Sequence, residues 1–263
     1  SVLDREGAIE IKDSAGRLEF DNVSFRYSNA EENVISGISF IAKPGETTAI
    51  IGSTGSGKST IVNLIPRFFD VTAGSIKLDG RDIRNLSIKS LRDQIGFVPQ
   101  KGILFSGTIN SNIRFGNEDA TPEEIRKAAE IAQALEFVEE KEGGFQITIA
   151  QGGSNVSGGQ KQRISIARAI AKNPKILVFD DSFSALDMKT DAKLRKVLVQ
   201  YEKAATKIIV AQRVGTIMDA EQIIVLDDGE IVGKGRHRDL LRTCDIYRQI
   251  AESQLSKSEL EVE

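Results

Sequence analysis

The run Gly52-Ser53-Thr54-Gly55-Ser56-Gly57-Lys58-Ser59 sets glycines ahead of a lysine and a hydroxyl, a spacing suited to gripping phosphate. Glycines let backbone N–H groups turn inward onto phosphate oxygens. Lys58 is expected to reach the β- and γ-phosphates of a nucleoside triphosphate, Ser59 to ligate Mg²⁺, and Thr60 to complete the contacting run. Further on, Ile176-Leu177-Val178-Phe179 ends in Asp180, four apolar residues followed by an acid. That carboxylate can hold Mg²⁺ through water. Between these two motifs the chain reads Val156-Ser157-Gly158-Gly159-Gln160.

The elements around the motifs can position them. Thr47 to Ile51 is β-branched and apolar, as a buried strand is, and runs straight into the glycines. Lys58 to Ile65 reads as a helix that ends at Pro66, and its N-terminus adds a positive dipole end toward phosphate. Strand, glycine-rich loop and helix together are the context that a phosphate-binding loop requires. Asp180 falls at the carboxyl end of a core strand, where α/β sheets place ligands. Glu19 to Tyr27 alternates as a half-exposed strand and, with Ile76 to Gly80, predicts an antiparallel flank. Pro122 to Glu140 predicts one amphipathic helix with Thr121 as N-cap, inside a helical subdomain at about 101–166. Asp191 to Tyr201 predicts another helix, and Ile223 to Val232 a hairpin with an Asp228-Gly229 turn. The expected class is α/β: a P-loop NTPase core of RecA-like type, an antiparallel β flank and an inserted α-helical subdomain.

Composition narrows the function. The 263 residues suffice for one large α/β domain or two small ones. The net charge of −3, with both signs interspersed, gives no nucleic-acid footprint. The single cysteine, Cys244, excludes an intramolecular disulfide framework and suits the cytosol. No apolar run approaches the roughly 18 residues of a membrane span, and no targeting segment is expected at the start.

From Leu18 to about Ile250 the chain resembles the nucleotide-binding domain of ATP-binding cassette (ABC) transporters of the exporter type. Ser157-Gly158-Gly159-Gln160 matches the signature motif of that family, its most specific marker. Tyr27, 25 residues before Gly52, looks like the A-loop aromatic and would stack on adenine. Gln100 looks like the Q-loop glutamine, a Mg²⁺ and water ligand at a hinge. Ser184-Ala185-Leu186-Asp187 matches the D-loop. Phe105 to Ile113 is similar to the exporter form of the stretch after the Q-loop. The resemblance implies ATP and Mg²⁺ as ligands, with Ser59, Gln100 and Asp180 around the metal. It also implies head-to-tail pairing, in which Ser157, the Gly158-Gly159 backbone, Gln160 and Asp187 serve the nucleotide held by a second, homologous subunit.

Four positions depart from the family pattern. Asp181 stands where a catalytic Glu is usual, and Gln212 where a His contacts the γ-phosphate. Gln151 replaces an acidic residue before the signature, and Val156 a leucine within it. Asp is one methylene shorter than Glu, and a misplacement of roughly 1 Å can cost on the order of a hundredfold in rate. Gln donates a hydrogen bond but carries no charge. The one histidine, His237, lies after the last strand and is a poor substitute for the missing switch. Tyr27, Lys58, Gln100, Asp180, Asp181 and Gln212 serve this chain's own nucleotide, and the chemical changes fall among them. The residues that serve the partner's nucleotide are intact.

This pattern implies one half of a heterodimeric exporter: a degenerate, poorly hydrolysing site here, and a signature that completes the competent site of the partner. An ordinary homodimeric exporter ATPase is the alternative. A soluble cassette protein fits less well: the gap between loop and signature is too short for the coiled coil of the DNA-repair type, and the translation type carries two cassettes in one chain. The implied layout is a linker from a transmembrane domain at 1–17, the nucleotide-binding domain at 18–250 and a tail at 251–263. The implied location is the cytoplasmic face of the inner membrane.

Overall fold

In the computed structural model, which describes residues 2–201, 203–256 and 260, the elements follow one another as α/β units with an antiparallel start and a helical insertion. Strands β1 (Leu18–Phe25), β2 (Ile35–Ala42) and β3 (Thr47–Gly52) lead into helix α1 (Lys58–Leu64). Then come β4 (Ala73–Leu78), β5 (Arg81–Asp82), α2 (Ile88–Asp93) and β6 (Ile95–Val98). The insertion holds β7 (Gly107–Thr108), α3 (Ile109–Arg114), α4 (Pro122–Ile131), α5 (Leu135–Glu139), β8 (Thr148–Ile149) and the long α6 (Gly158–Ala171). The chain returns to the core through β9 (Ile176–Asp180), α7 (Met188–Tyr201), β10 (Thr206–Val210) and α8 (Val214–Ile217). It continues with β11 (Gln222–Asp227), β12 (Glu230–Gly235), α9 (His237–Thr243) and α10 (Asp245–Gln254).

The main sheet has the order β12-β11-β3-β10-β9-β6, parallel except for the β11–β12 hairpin. Strands of a parallel sheet are covered on both faces and read as continuous apolar runs. Accordingly β9 and β10 are buried at every position. The second sheet, β2-β1-β4-β5, is antiparallel and alternates buried with open positions. This is the predicted flank. Tyr27 lies beyond its first strand, and Asn22 interrupts the strand with a φ of 49° where the register to β2 and β4 shifts. The two sheets enclose a core that includes Phe20, Phe40, Ile50, Ile61 and Val178, while a second core joins β9 to the helical insertion.

Three local expectations are met. Thr121 caps α4 in a reciprocal capping box with Glu124, and Pro122 opens the helix. The Asp228-Gly229 turn of the β11–β12 hairpin has positive φ at both residues (43° and 79°), as the tight two-residue turn demands. The helix predicted from Asp191 begins slightly earlier, at Met188.

The single helix expected over Pro122 to Glu140 is instead two, α4 and α5. Gln133 enters the left-handed region at φ 57°, and the Ala134 N–H closes back on the Ala129 carbonyl oxygen. The small residues Ala132 and Ala134 are fully buried at this break, so the chain turns there to bury Phe137 and Val138 against the insertion core. At the other end, α10 runs through the expected boundary at 250/251, with Ala251 fully buried. The tail predicted from 251 lies partly outside the described residues, at 257–259 and 261–263.

The segment before β1 is tied to the core. Asp79 accepts from the Ser14 hydroxyl and from the Ala15 and Arg17 N–H groups, and Ile9 pairs with Leu86. Among the described residues no helix is long and apolar enough to cross a membrane.

Candidate functional site

Parallel register brings the predicted residues to one edge of the main sheet. Val210 of β10 lies opposite Ile50 of β3 and Asp180 of β9, and Val98 of β6 opposite Phe179. The loops that follow these strands therefore emerge side by side, carrying Gly52 to Lys58, Asp181, Gln212 and Gln100. They surround a cavity of about 590 Å³ lined by Gly52 to Gly55, Lys58, Ser59, Gln100, Asp181 and Gln212.

The loop needs its glycines for steric reasons. A Cβ on Gly52 would sit 2.2 Å from the Leu226 carbonyl oxygen of β11. Gly57, the residue before α1, has φ 96° and would drive a Cβ to 2.5 Å from Ile35 Cγ2. Such a φ is nearly closed to other residues. Lys58 Nζ donates to the carbonyl oxygens of Gly52 (2.9 Å) and Ser53 (2.6 Å), so it bridges the mouth of the loop. Burial draws its ammonium below the ordinary lysine value, and the carboxylates of Asp181 and Asp180 partly offset this. An anion in the loop would favour the charged form. Ser53, Thr54 and Gly55 are exposed, whereas Ser56 and Thr60 are buried.

Ser59 Oγ donates to Asp180 Oδ1 at 2.9 Å, which joins the two motifs 121 residues apart. Burial pushes the Asp180 carboxyl up; Ser59 and Lys58 pull it back, and the neighbouring Asp181 adds to the rise. A cation would relieve that burden. The donors are oxygens of Ser59, Asp180 and Gln100, a hard set that fits Mg²⁺. Among the described residues no group of three His, Cys, Asp or Glu side chains forms a cage. A small oxygen set completed by phosphates and water is the usual way Mg²⁺ is held.

Asp181 is buried, with φ 47°, and its Oδ2 accepts two amide N–H bonds, from Gln100 Nε2 (3.0 Å) and Gln212 Nε2 (2.6 Å). The two glutamines reach the same oxygen from opposite sides in sequence. Tyr27 stands beside the first turn of α1, its hydroxyl 3.3 Å from Thr60 Oγ1 and its ring edge-on to Phe25 and Phe69. Its ring is about a third exposed, open for stacking.

The signature residues lie elsewhere. Ser157 caps α6 in a capping box with Gln160: the Gln160 N–H donates to Ser157 Oγ, and the Ser157 N–H to Gln160 Oε1. Ser157 and Gly158 are exposed, and a Cβ on Gly158 would meet nothing within 4 Å. Asp187 accepts from the Thr190 N–H and hydroxyl, which hold its carboxyl below the usual range. It is exposed beside Met188, which is 81% exposed. None of these residues lines the cavity. Gln151 is exposed in a short turn, and Val156 is buried. His237 does not line the cavity and is buried, with its Nδ1 2.7 Å from the Tyr247 hydroxyl.

Sequence reasoning missed α10. Ile246, Gln249, Ile250, Ser253 and Gln254 line the same cavity. They form no motif, and their only sequence signal is an amphipathic pattern that any surface helix shares.

Comparison with known proteins places this geometry in a family. The family described as ABC transporter matches residues 35–184. The ABC transporter ATP-binding protein YfiB of Bacillus subtilis is 46% identical over 252 residues, 96% of this chain and 44% of that protein. The beta-(1→2)glucan export ATP-binding/permease protein NdvA of Rhodopseudomonas palustris is 44% identical over 259 residues, 98% of this chain and 43% of that one. Among solved structures, a bacterial Atm1-family ABC exporter with ATP bound superposes with a TM-score of 0.93 at 37% identity, covering 97% of this chain and 45% of that chain. The chain thus spans under half the length of these relatives.

Proposed function

This chain belongs to the ABC transporter family, and from that premise we propose that it is the ATP-binding domain of one half of a heterodimeric exporter, holding Mg-ATP in a site that hydrolyses it poorly. Relatives whose names include an export permease and an exporter with ATP bound support the export direction. In this reading residues 18–250 form the motor at the cytoplasmic face of the membrane, with the helical subdomain at 101–166. Residues 1–17 link it to a transmembrane domain, and 251–263 form its tail.

The residues divide the work. Tyr27 stacks on adenine, Gly52 to Lys58 and Thr60 hold the phosphates, and Ser59, Gln100 and Asp180 hold Mg²⁺. The bound metal supplies charge neutralisation at the β- and γ-phosphates. Asp181 and Gln212 face the γ-phosphate end. Ser157, Gly158, Gly159, Gln160 and Asp187 serve the nucleotide of the partner subunit.

One observation carries the poor hydrolysis: Asp181 Oδ2 accepts from both Gln100 and Gln212. A base that orients water must present an unshared lone pair in reach of it. Here the shorter carboxylate is drawn back and one of its oxygens is committed to two amides. An uncharged amide at Gln212 then holds the carboxylate and brings no positive charge toward the γ-phosphate.

The test is to titrate a fluorescent ATP analogue into the protein and to follow phosphate release in the same samples. Binding in the micromolar-to-millimolar range with very slow release is expected. Rapid turnover at low protein concentration would contradict the degenerate site and favour the homodimeric reading.

A further inference from the structure

The loop that carries Gln212 is held from a distance. Gln254, the last residue of α10, donates from Nε2 to the Gln212 carbonyl oxygen at 2.8 Å, and its Oε1 accepts the Val214 N–H at 2.8 Å. One side-chain amide thus spans two backbone groups on either side of Arg213. Val214 opens α8, where the first N–H groups have no partner within the helix. Arg213, the N-cap, makes no side-chain cap bond. Gln254 supplies that bond from another helix, 40 residues later. Its own position is set by α10, which is anchored by Tyr247 and Ala251, both fully buried. Gln212 itself is exposed, and its side chain makes the 2.6 Å bond to Asp181 Oδ2.

We propose that Gln254 is a positioning residue of the nucleotide site: it holds the Gln212–Val214 backbone so that the Gln212 amide stays aimed at Asp181 and the γ-phosphate end of the cavity. This rests on the reading of Gln212 as facing the γ-phosphate, and is independent of whether the partner is identical or different. Removal of Gln254 frees the backbone of the loop and leaves the loop around Lys58 intact, so its effect falls on ATP and spares ADP. Packing of α10 alone would make no such distinction.

The experiment measures ATP and ADP affinities, with Mg²⁺, for the native protein, Gln254→Ala, Gln254→Met, Gln212→Ala and the double variant Gln212→Ala/Gln254→Ala. Met keeps the length of Gln and removes both hydrogen bonds. Gln254→Ala and Gln254→Met are each expected to lower the ratio of ATP to ADP affinity about fivefold, as the loss of one or two hydrogen bonds predicts. ADP affinity should stay within about twofold, which also reports an intact fold. In the Gln212→Ala background, adding Gln254→Ala should leave the ratio unchanged. Equal weakening of ATP and ADP, a native-like ratio in Gln254→Met, or a full further loss in the Gln212→Ala background overturns the role of Gln254. An identical ratio in the native protein and Gln212→Ala overturns the reading of Gln212 and this inference with it.

Discussion

Two regions of the molecule carry the family's motifs, and they differ in how complete they are within one chain. At the edge of the main sheet the groups already engage one another. Ser59 meets Asp180, Lys58 closes over the loop carbonyls, and Gln100 and Gln212 share Asp181. At the start of α6 the polar atoms of Ser157 and Gln160 satisfy the helix end, Ser157 and Gly158 are exposed, and a Cβ on Gly158 would meet nothing within 4 Å among the described residues. Both departures with chemical weight, Asp181 and Gln212, fall in the closed region. The open region keeps the family's residue types at Ser157, Gly158, Gly159, Gln160 and Asp187. In the closed region the changed Asp181 is held by its neighbours, the amides of Gln100 and Gln212.

The strongest test of this contrast is at Ser157. In the assembled transporter, Ser157→Ala should lower ATP hydrolysis by about 10²–10³, the usual cost of one preorganised donor. Loss of the α6 cap adds about 1 kcal/mol of destabilisation, which a melting curve separates from the kinetic effect. A loss of under about threefold in ATPase would remove the assigned role of the signature.

Next in size is Lys58→Ala. It removes the ammonium that bridges the loop mouth, and ATP affinity in a binding titration should fall by at least about tenfold, as for a charge-assisted contact. Tyr27→Ala, measured alongside, should weaken ATP and ADP alike, because adenine is common to both.

Repair of the closed region should give a smaller, positive effect. Asp181→Glu restores reach and Gln212→His restores a possible charge. Groups that act as a unit are non-additive, so the double variant should raise hydrolysis in the assembled transporter by about tenfold, more than the two single gains combined. No gain from the double variant would place the defect outside these two residues.

The smallest effect lies outside both regions and serves as a control. Burial holds the His237 imidazole below its ordinary value of 6.5. The unfolded chain therefore takes up this proton first as the pH falls. Stability is unaffected by this group above about 6.5 and declines as the pH drops from there toward the folded-state value. A shift in Tm of no more than about 4 °C is expected for a domain of this size. His237→Gln should flatten the decline and leave the ratio of ATP to ADP affinity unchanged.

Much of the site was legible in the sequence because its residues sit in short loops directly after strands. A buried apolar run followed by Gly52, Asp180 or Gln100 fixes both the element and the place of the residue, and parallel register does the rest. What was illegible depends on tertiary contacts. The break between α4 and α5 requires Gln133 to enter the left-handed region, a choice that buries Ala132 and Ala134 and leaves no mark in a helix-favouring sequence. The hold of Gln254 on the Gln212 loop joins residues 42 apart through backbone atoms, which have no sequence identity to read.

In the proposed function the two regions serve different nucleotides, one poorly and one well. This division is tested most directly by comparing Gly158→Ala with Asp181→Ala, each alone, in the ATPase activity of the assembled transporter. A methyl group at Gly158 would meet nothing within 4 Å among the described residues, so a loss would report on the approach of the partner's nucleotide. Gly158→Ala is expected to cost about a hundredfold and Asp181→Ala less than about threefold. If Asp181→Ala proves as damaging as Gly158→Ala, this chain's own site carries turnover, and the asymmetry is contradicted.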